Sequence, residues 1–141
     1  MARLSLFAEL AQLATIRTFV AQTGRDLGLG RQVTDDLVLA VDEACTNVLK
    51  HGYGGRGGKI ELAVEAVEEG IRVIVRDWGA AFEPDAVPVP DVTAPLGARP
   101  LGGLGLFLMR QVMDDVDFAF DPQQGNTLTM VKRLIGGDDG H

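Results

Sequence analysis

Residues 48–66 read VLKHGYGGRGGKIELAVEA, and the spacing of the apolar residues changes within this stretch. Upstream of it, apolar residues recur every three or four positions, which predicts a helix with Thr34 as its N-cap. Five glycines between residues 52 and 58 end that helix. Beyond them, apolar and polar residues alternate, which predicts a strand over residues 59–66. The change of period from 3.6 to 2 therefore predicts a helix followed directly by a strand.

Outward from this stretch, the same two periods predict the remaining helices and strands. A helix at residues 8–22 is expected to end at Gly24 and Gly28. Five of the six prolines lie between residues 78 and 100 and predict a long loop there. The order of elements predicts a two-layer α/β (α+β) sandwich, in which helices cover one face of a mixed, largely antiparallel sheet. The other predicted segments are strands at residues 3–6, 71–77, 116–120 and 127–134 and a helix at residues 104–115.

The composition indicates a soluble domain with no strongly basic surface. Thirteen basic residues against twenty acidic ones give a formal charge of -7, which opposes nonspecific binding to nucleic acid or anionic lipid. No stretch approaches the ~20 apolar residues of a membrane span, so we expect a cytoplasmic protein that does not bind membranes. The single cysteine, Cys45, is expected to pack in the core. We expect one domain over residues 1–135 and a disordered tail over residues 136–141.

Three groups of residues are candidates for a functional site. Glu43 and Asn47 lie four positions apart on one face of a predicted helix, although a polar stripe is also typical of a solvated helix face. Asp77 ends a predicted strand, where a carboxylate either binds a ligand or caps its own turn. Residues 101–106, LGGLGL, lead into a helix, an arrangement that suits either phosphate binding or simple helix entry.

These residues belong to a series of motifs along the chain. The motifs are Glu43-x-x-x-Asn47-x-x-x-His51-Gly52-Tyr53, Asp77-x-Gly79, Gly103-x-Gly105-Leu106 and Gly125-Asn126-Thr127. In order and spacing they resemble the boxes of the histidine-kinase-like ATPase (GHKL) superfamily. Within that superfamily they are most similar to the anti-sigma-factor serine/threonine kinases. The resemblance extends from the first helix through Leu134, and it implies a Bergerat-type ATP-binding fold.

The resemblance implies a role for each motif residue. Asn47 would hold a Mg²⁺ ion that bridges the phosphates of ATP, and Asp77 would accept a hydrogen bond from the adenine amino group. Glu43 would be the general base, because a serine or threonine hydroxyl must lose a proton as it attacks the γ-phosphate. The same site would include Gly79, His51 at the helix end, the lid residues Gly103, Gly105 and Leu106, and Thr127, which would assist at the base.

The function that the resemblance implies is an ATP-dependent serine/threonine protein kinase that acts as an anti-sigma factor. Sensor kinases that phosphorylate histidine typically carry asparagine at the position of Glu43. The expected partners are a small anti-sigma-factor antagonist, phosphorylated on serine or threonine, and a sigma factor; a homodimer is also expected. The alternatives are a non-catalytic ATP-binding switch that binds a regulatory protein, and a plain ATPase. Arg99 could replace an arginine that some members carry beside the glycines of residues 101–103.

Overall fold

The structure is a computed structural model that describes residues 1–81 and 103–134. The predicted tail and most of the predicted proline-rich loop, including Arg99, lie outside these residues. The strands are β1 (Ala2–Ala8), β2 (Gly58–Val67), β3 (Gly70–Asp77), β4 (Asp115–Asp121) and β5 (Gly125–Arg133). The helices are α1 (Leu13–Asp26), preceded by a 3₁₀ turn at Leu10–Gln12, α2 (Arg31–Asn47), extended by a π-helical turn at Val48–Gly52, and α3 (Gly103–Val112). Within the described ranges, none of these helices combines the length and apolar character needed to span a bilayer.

The five strands form one sheet in the order β1-β2-β3-β5-β4. The three helices pack side by side with α2 in the middle, and side chains from both layers share one core. This confirms the two-layer sandwich. All four described strand pairs are antiparallel, so the described sheet is fully antiparallel where the sequence predicted a mixed, largely antiparallel one. The connections explain this. The two helices between β1 and β2 return the chain to the end of the sheet at which β1 finished, so β2 runs opposite to β1. Strands β3 and β4 run in the same direction, but β5 lies between them and is antiparallel to both.

Gly28 ends α1 as predicted: it has φ of +73° and directly follows the C-cap residue Leu27. Two other predicted helix-end residues, Gly24 and Thr34, are wrong. Helix α1 continues through Gly24 to Asp26, and Gly24 is buried where α1 packs on α2. A Cβ atom built at Gly24 would lie 2.6 Å from Thr34 Oγ1, so this glycine permits helix contact and does not end the helix. Helix α2 begins at Arg31 after Gly30, and Thr34 is a buried residue inside it, not its N-cap. Tertiary packing explains both residues better than local helix signals do.

A lysine from the sheet holds the C-terminal end of α3. Lys132 Nζ donates a hydrogen bond to Val112 O at 2.7 Å and lies 3.1 Å from Asp36 Oδ2 on α2. The side chains of Lys132 and Asp36 are only 18% and 15% exposed. A cation at this end of a helix satisfies a terminal carbonyl group and interacts favourably with the helix dipole. The last turn of α3 is thereby joined to both α2 and β5.

Candidate functional site

Asp77, the last residue of β3, is a buried carboxylate at the end of the central strand. The residue is only 6% exposed. Its Oδ1 accepts hydrogen bonds from Gly79 N and from Asn126 Nδ2, each at 2.9 Å. Both of these bonds end on Oδ1, and no donor to Oδ2 is found among residues 1–81 and 103–134, so Oδ2 can accept a hydrogen bond from a ligand. Asp77 therefore caps its own turn and still has an oxygen for binding.

Asn126, directly opposite Asp77 in the register of β3 and β5, is a site residue to which sequence reasoning gave no role. Sequence reasoning placed Thr127 at the base instead. Thr127 lines the same pocket, but the hydrogen bond to Asp77 comes from Asn126. Leu128 and Met130 are buried in the core, so strand alternation puts Asn126 on the same, helix-covered face. That alternation was the signal in the sequence that could have identified Asn126.

Close backbone contacts explain the glycines around Asp77. Ala80 N donates a hydrogen bond to Gly52 O at 2.8 Å, and a Cβ atom at Gly79 would lie 2.6 Å from the same oxygen. Gly125 has φ of +88°, and a Cβ atom there would lie 2.5 Å from Asp77 O. Side chains at Gly79 and Gly125 would push the end of α2 and the start of β5 away from Asp77. The glycines thus bring three separate segments together around one carboxylate.

A pocket lies between α2, α3 and the sheet, with Asp77 in its wall. Most of its lining is apolar, and its polar lining side chains converge from three elements, as in small-molecule sites. The apolar residues include Ala44, Val48, Val75, Met109, Phe118 and Leu128, and the polar ones are Asn47, His51, Asp77, Asn126 and Thr127. His51 lines this pocket from an exposed position at the end of α2. The structure therefore places Asn47, His51, Asp77 and Thr127 around one pocket.

Glu43 and Asn47 meet the first turn of α3 at Gly105. A Cβ atom built at Gly105 would lie 2.9 Å from Glu43 Oε2 and 3.2 Å from Asn47 Nδ2. Burial, with a smaller contribution from neighbouring Asp42, raises the pKa of Glu43, while Lys50 lowers it. Glu43 itself is not among the pocket-lining residues. The carboxylate lies beside the pocket, against the first turn of α3.

The other two predicted lid residues, Gly103 and Leu106, lie in different surroundings. Gly103 is the first residue of α3. Leu106 is 5% exposed and packs in the hydrophobic core, so its described role is to attach α3 to the body of the protein.

Asn47 is the residue that fits a metal ligand. Its Nδ2 is buried and has no hydrogen-bond partner among the described residues. An amide in that state is free to turn its oxygen to a cation or its nitrogen to a phosphate. The described residues contain no group of three or more His, Cys, Asp or Glu side chains that could hold a metal. Mg²⁺ commonly takes one or two protein ligands, with phosphate oxygens and waters as the others, so a single amide is compatible with it.

Tyr53 connects the end of α2 to the turn after Asp77. Its hydroxyl donates a hydrogen bond to Lys59 O at 2.6 Å and accepts one from Trp78 N at 2.9 Å. A Cβ atom at Gly58 would lie 2.3 Å from the Tyr53 ring, so only glycine leaves room for it. Trp78 is 41% exposed and does not line the pocket. Sequence reasoning quoted Tyr53 within a motif without assigning it this role.

The chain is similar to known proteins along most of its length. The family model described as the histidine kinase-like ATPase domain matches residues 6–132. Proteins named serine-protein kinase RsbW from Bacillus cereus (strain Q1) and Bacillus mycoides (strain KBAB4) are each 30% identical over 131 residues. Those alignments cover 90% of this chain and 81% of each relative.

A crystal structure of the RsbU and RsbW domains of a Mycobacterium tuberculosis protein shares the fold. The TM-score is 0.66 at 20% identity, and the match covers 95% of this chain. This chain spans 33% of that structure's chain. The family match and the fold agree with the motifs that surround the pocket. The chain belongs to the histidine kinase-like ATPase domain family and is homologous to the RsbW serine-protein kinases.

Proposed function

We propose that this protein binds Mg²⁺-ATP and transfers the γ-phosphate to a serine or threonine of a small antagonist protein, as an anti-sigma factor that also binds a sigma factor. One observation carries the proposal: Glu43 and Asn47 lie together against the first turn of α3, beside the pocket that holds Asp77. A candidate base, a candidate metal ligand and a base-reading carboxylate thus lie around one site. The names of the relatives support the serine-protein kinase class.

Asp77 would bind the nucleoside end of ATP. Its Oδ2 accepts a hydrogen bond from the exocyclic amino group of adenine, while Oδ1 stays bonded to Gly79 N and Asn126 Nδ2. The bonds on Oδ1 fix the carboxylate before the ligand arrives, which lowers the entropic cost of binding. Guanine presents a carbonyl oxygen at the same ring position and would be repelled by Oδ2.

Asn47 and the start of α3 would bind the phosphates. The Asn47 amide would hold the metal or a phosphate, and N–H groups in the first turn of α3, which lies against that amide, would donate to phosphate oxygens. Bound Mg²⁺ would neutralise charge that develops on the phosphates. With a protein charge of -7, this local compensation replaces a basic surface.

Glu43 would act as the general base. The substrate hydroxyl oxygen forms a bond to the γ-phosphorus as the bond from that phosphorus to the β,γ-bridging oxygen breaks, and ADP leaves. The hydroxyl proton passes to Glu43 Oε2. The raised pKa of Glu43 favours this transfer, because the carboxylate then holds the proton more tightly than an exposed glutamate would.

A second candidate function is a nucleotide-dependent switch without phosphotransfer. The observation that favours it is the contact of Glu43 Oε2 with Gly105, which leaves the carboxylate outside the lining of the pocket. If α3 keeps that position with ATP bound, the carboxylate is shielded from a partner's hydroxyl group. ATP would then regulate binding of a partner protein and would not be consumed.

The test combines ATP binding with transfer of labelled phosphate from ATP to small candidate antagonist domains. The expected result is Mg²⁺-dependent ATP binding by the wild type, weakened in Asp77→Asn, and labelling of serine or threonine. Glu43→Gln is expected to bind ATP normally and to transfer no phosphate. Thr129→Val, on the opposite face of β5, is the matched control and should behave as the wild type. Binding without any labelled partner would favour the switch, and absence of binding would reject both functions.

A further inference from the structure

An ion pair joins α1 to α2 one residue before the proposed base. Arg17 Nη1 on α1 donates a hydrogen bond to Asp42 Oδ1 on α2 at 2.8 Å. The side chains of Arg17 and Asp42 are 44% and 28% exposed, so the pair is partly shielded from water. Glu43 is the next residue of α2, so an interaction that holds the Asp42 carboxylate also affects its neighbour. The proposed function gives neither Arg17 nor Asp42 a role.

The side chains of Asp42 and Glu43 lie on different sides of α2. Successive residues of a helix are rotated by about 100°, and α2 lies between α1 and α3. Asp42 is bound from the α1 side by Arg17. Glu43 Oε2 lies on the α3 side, next to Gly105. The ion pair therefore holds one of two adjacent carboxylates away from the other.

The charges around Glu43 indicate what this separation achieves. Burial raises the pKa of Glu43 most, the Asp42 carboxylate raises it further, and the Lys50 ammonium lowers it. The first turn of α3, residues 103–106, carries no charged side chain. On the α1 side, the guanidinium of Arg17 is bonded to Asp42. Arg17 thus offsets a neighbouring negative charge that opposes ionisation of Glu43.

We propose that Arg17 is a positioning residue for phosphotransfer, which binds Asp42, holds that carboxylate on the α1 side of α2 and keeps its charge from acting on Glu43. The inference rests on the proposed function, because it takes Glu43 as the base. Without Arg17, the negative charge of Asp42 is no longer compensated and disfavours a second negative charge beside it. A guanidinium suits this role, since it stays charged wherever a glutamate titrates and its fixed donors hold a carboxylate in one direction.

The first experiment is a double-mutant cycle, read by carbon NMR of the Glu43 carboxyl group in the nucleotide-free protein. Arg17→Gln should raise the pKa of Glu43, and Asp42→Asn should lower it. In the Asp42→Asn background, Arg17→Gln should have little further effect, because the charge through which Arg17 acts is gone. Arg25→Gln is the matched control, since Arg25 lies on the same helix and donates a hydrogen bond to Gln22 of that helix. It should leave the titration of Glu43 unchanged.

The second experiment measures the pH dependence of phosphate transfer from Mg²⁺-ATP in the same variants, with the antagonist domain that the wild type labels. On the acid limb, the fraction of ionised Glu43 limits the rate. Arg17→Gln should lower the transfer rate there about two- to fivefold, as one nearby charge in largely aqueous surroundings would. Arg17→Lys keeps the positive charge and should recover most of this loss. A purely structural role of Arg17 would lower the stability and the plateau rate without moving the acid limb.

The outcomes distinguish this inference from the proposed function. An unmoved titration of Glu43 in Arg17→Gln, or an equal movement in the Asp42→Asn background, overturns the role of Arg17 and leaves the kinase proposal standing. A moved titration with an unmoved acid limb overturns the role of Arg17 together with the assignment of Glu43 as the base. If the wild type labels no domain while the titration moves as expected, the kinase function is rejected and the coupling of Arg17 to Glu43 stands.

The inference stays testable if Arg17→Gln does not fold. Asp42→Asn alone should then lower the pKa of Glu43 and move the acid limb of the transfer rate to lower pH. The absence of either change overturns the inference.

Discussion

The substitution Gly105→Ala is predicted to impair phosphotransfer without unfolding the protein. A Cβ atom at this position would lie 2.9 Å from Glu43 Oε2, 3.2 Å from Asn47 Nδ2 and 3.5 Å from Asn47 Oδ1. The first of these distances requires movement, and the nearest atom is the end of a flexible side chain that can move. The second requires a shift of a few tenths of an ångström in the Asn47 amide. The methyl group therefore displaces the two side chains of the proposed phosphate end.

Gly105→Ala is expected to change the rate of phosphate transfer much more than the free energy of unfolding. Alanine is favoured over glycine inside a helix by about 1 kcal/mol, and this gain offsets the cost of moving the Glu43 carboxylate. The free energy of unfolding should therefore stay within about 1 kcal/mol of the wild-type value. A misplacement of catalytic groups by about 1 Å can cost on the order of 100-fold in rate, so we expect a loss of roughly ten- to 100-fold.

The assay measures urea unfolding, ATP affinity and the rate of phosphate transfer from Mg²⁺-ATP on the same preparations. Arg110→Ala serves as the control, because Arg110 is exposed on the same helix and the site does not include it. An unchanged transfer rate in Gly105→Ala would refute the reasoning, since Glu43 and Asn47 would then not be needed where the structure holds them. A protein that fails to fold would refute the stability estimate.

Three further predictions concern Glu43 and Tyr53. Because the pKa of Glu43 is raised, the acid limb of the phosphotransfer rate should lie at higher pH than for an ordinary glutamate base, and carbon NMR of the Glu43 carboxyl should report the same pKa. Because its pKa is raised, Glu43 binds a proton more tightly in the folded state than in the unfolded chain. The contribution of Glu43 to the free energy of unfolding should therefore fall as pH rises through its folded pKa. Urea unfolding of Glu43→Gln should lack that fall. Tyr53→Phe removes the bonds to Lys59 O and Trp78 N and should cost about 1–2 kcal/mol in urea unfolding; a stability equal to wild type would argue against this connection.

Much of the fold could be predicted because local periodicity and packing agree along most of the chain. The run of glycines after α2 and the alternation in β2 mark a real change from helix to strand. Gly24 and Thr34 were misassigned because each looks like a helix terminus locally and in fact serves a contact between two helices. No local signal contains that contact. The hydrophobic periods also carry no information on strand order, and it is the strand order that makes every neighbouring pair antiparallel.

The site could be predicted in part for a related reason. Asp77 and Asn126 are 49 positions apart in sequence and adjacent in the sheet, so their hydrogen bond follows from register and not from local spacing. Motif order placed Thr127 at the base, whereas the side-chain alternation of β5 makes its neighbour the partner of Asp77. The contact of Gly105 with Glu43 likewise joins residues from separate helices. The residue types indicated which residues form the site, but which side chains contact each other could be seen only in the structure.

The hydrogen bond from Lys132 fixes α3 at Val112, so the helix can tilt about that end. Gly105 lies seven residues from Val112, about 10.5 Å along the helix axis, so a tilt of roughly 10° about the fixed end moves Gly105 by about 1.8 Å. A displacement of that size is enough to separate Gly105 from Glu43 and Asn47. A small rotation at the salt bridge with Asp36 would therefore produce a larger movement beside Glu43 and Asn47, near the other end of α3.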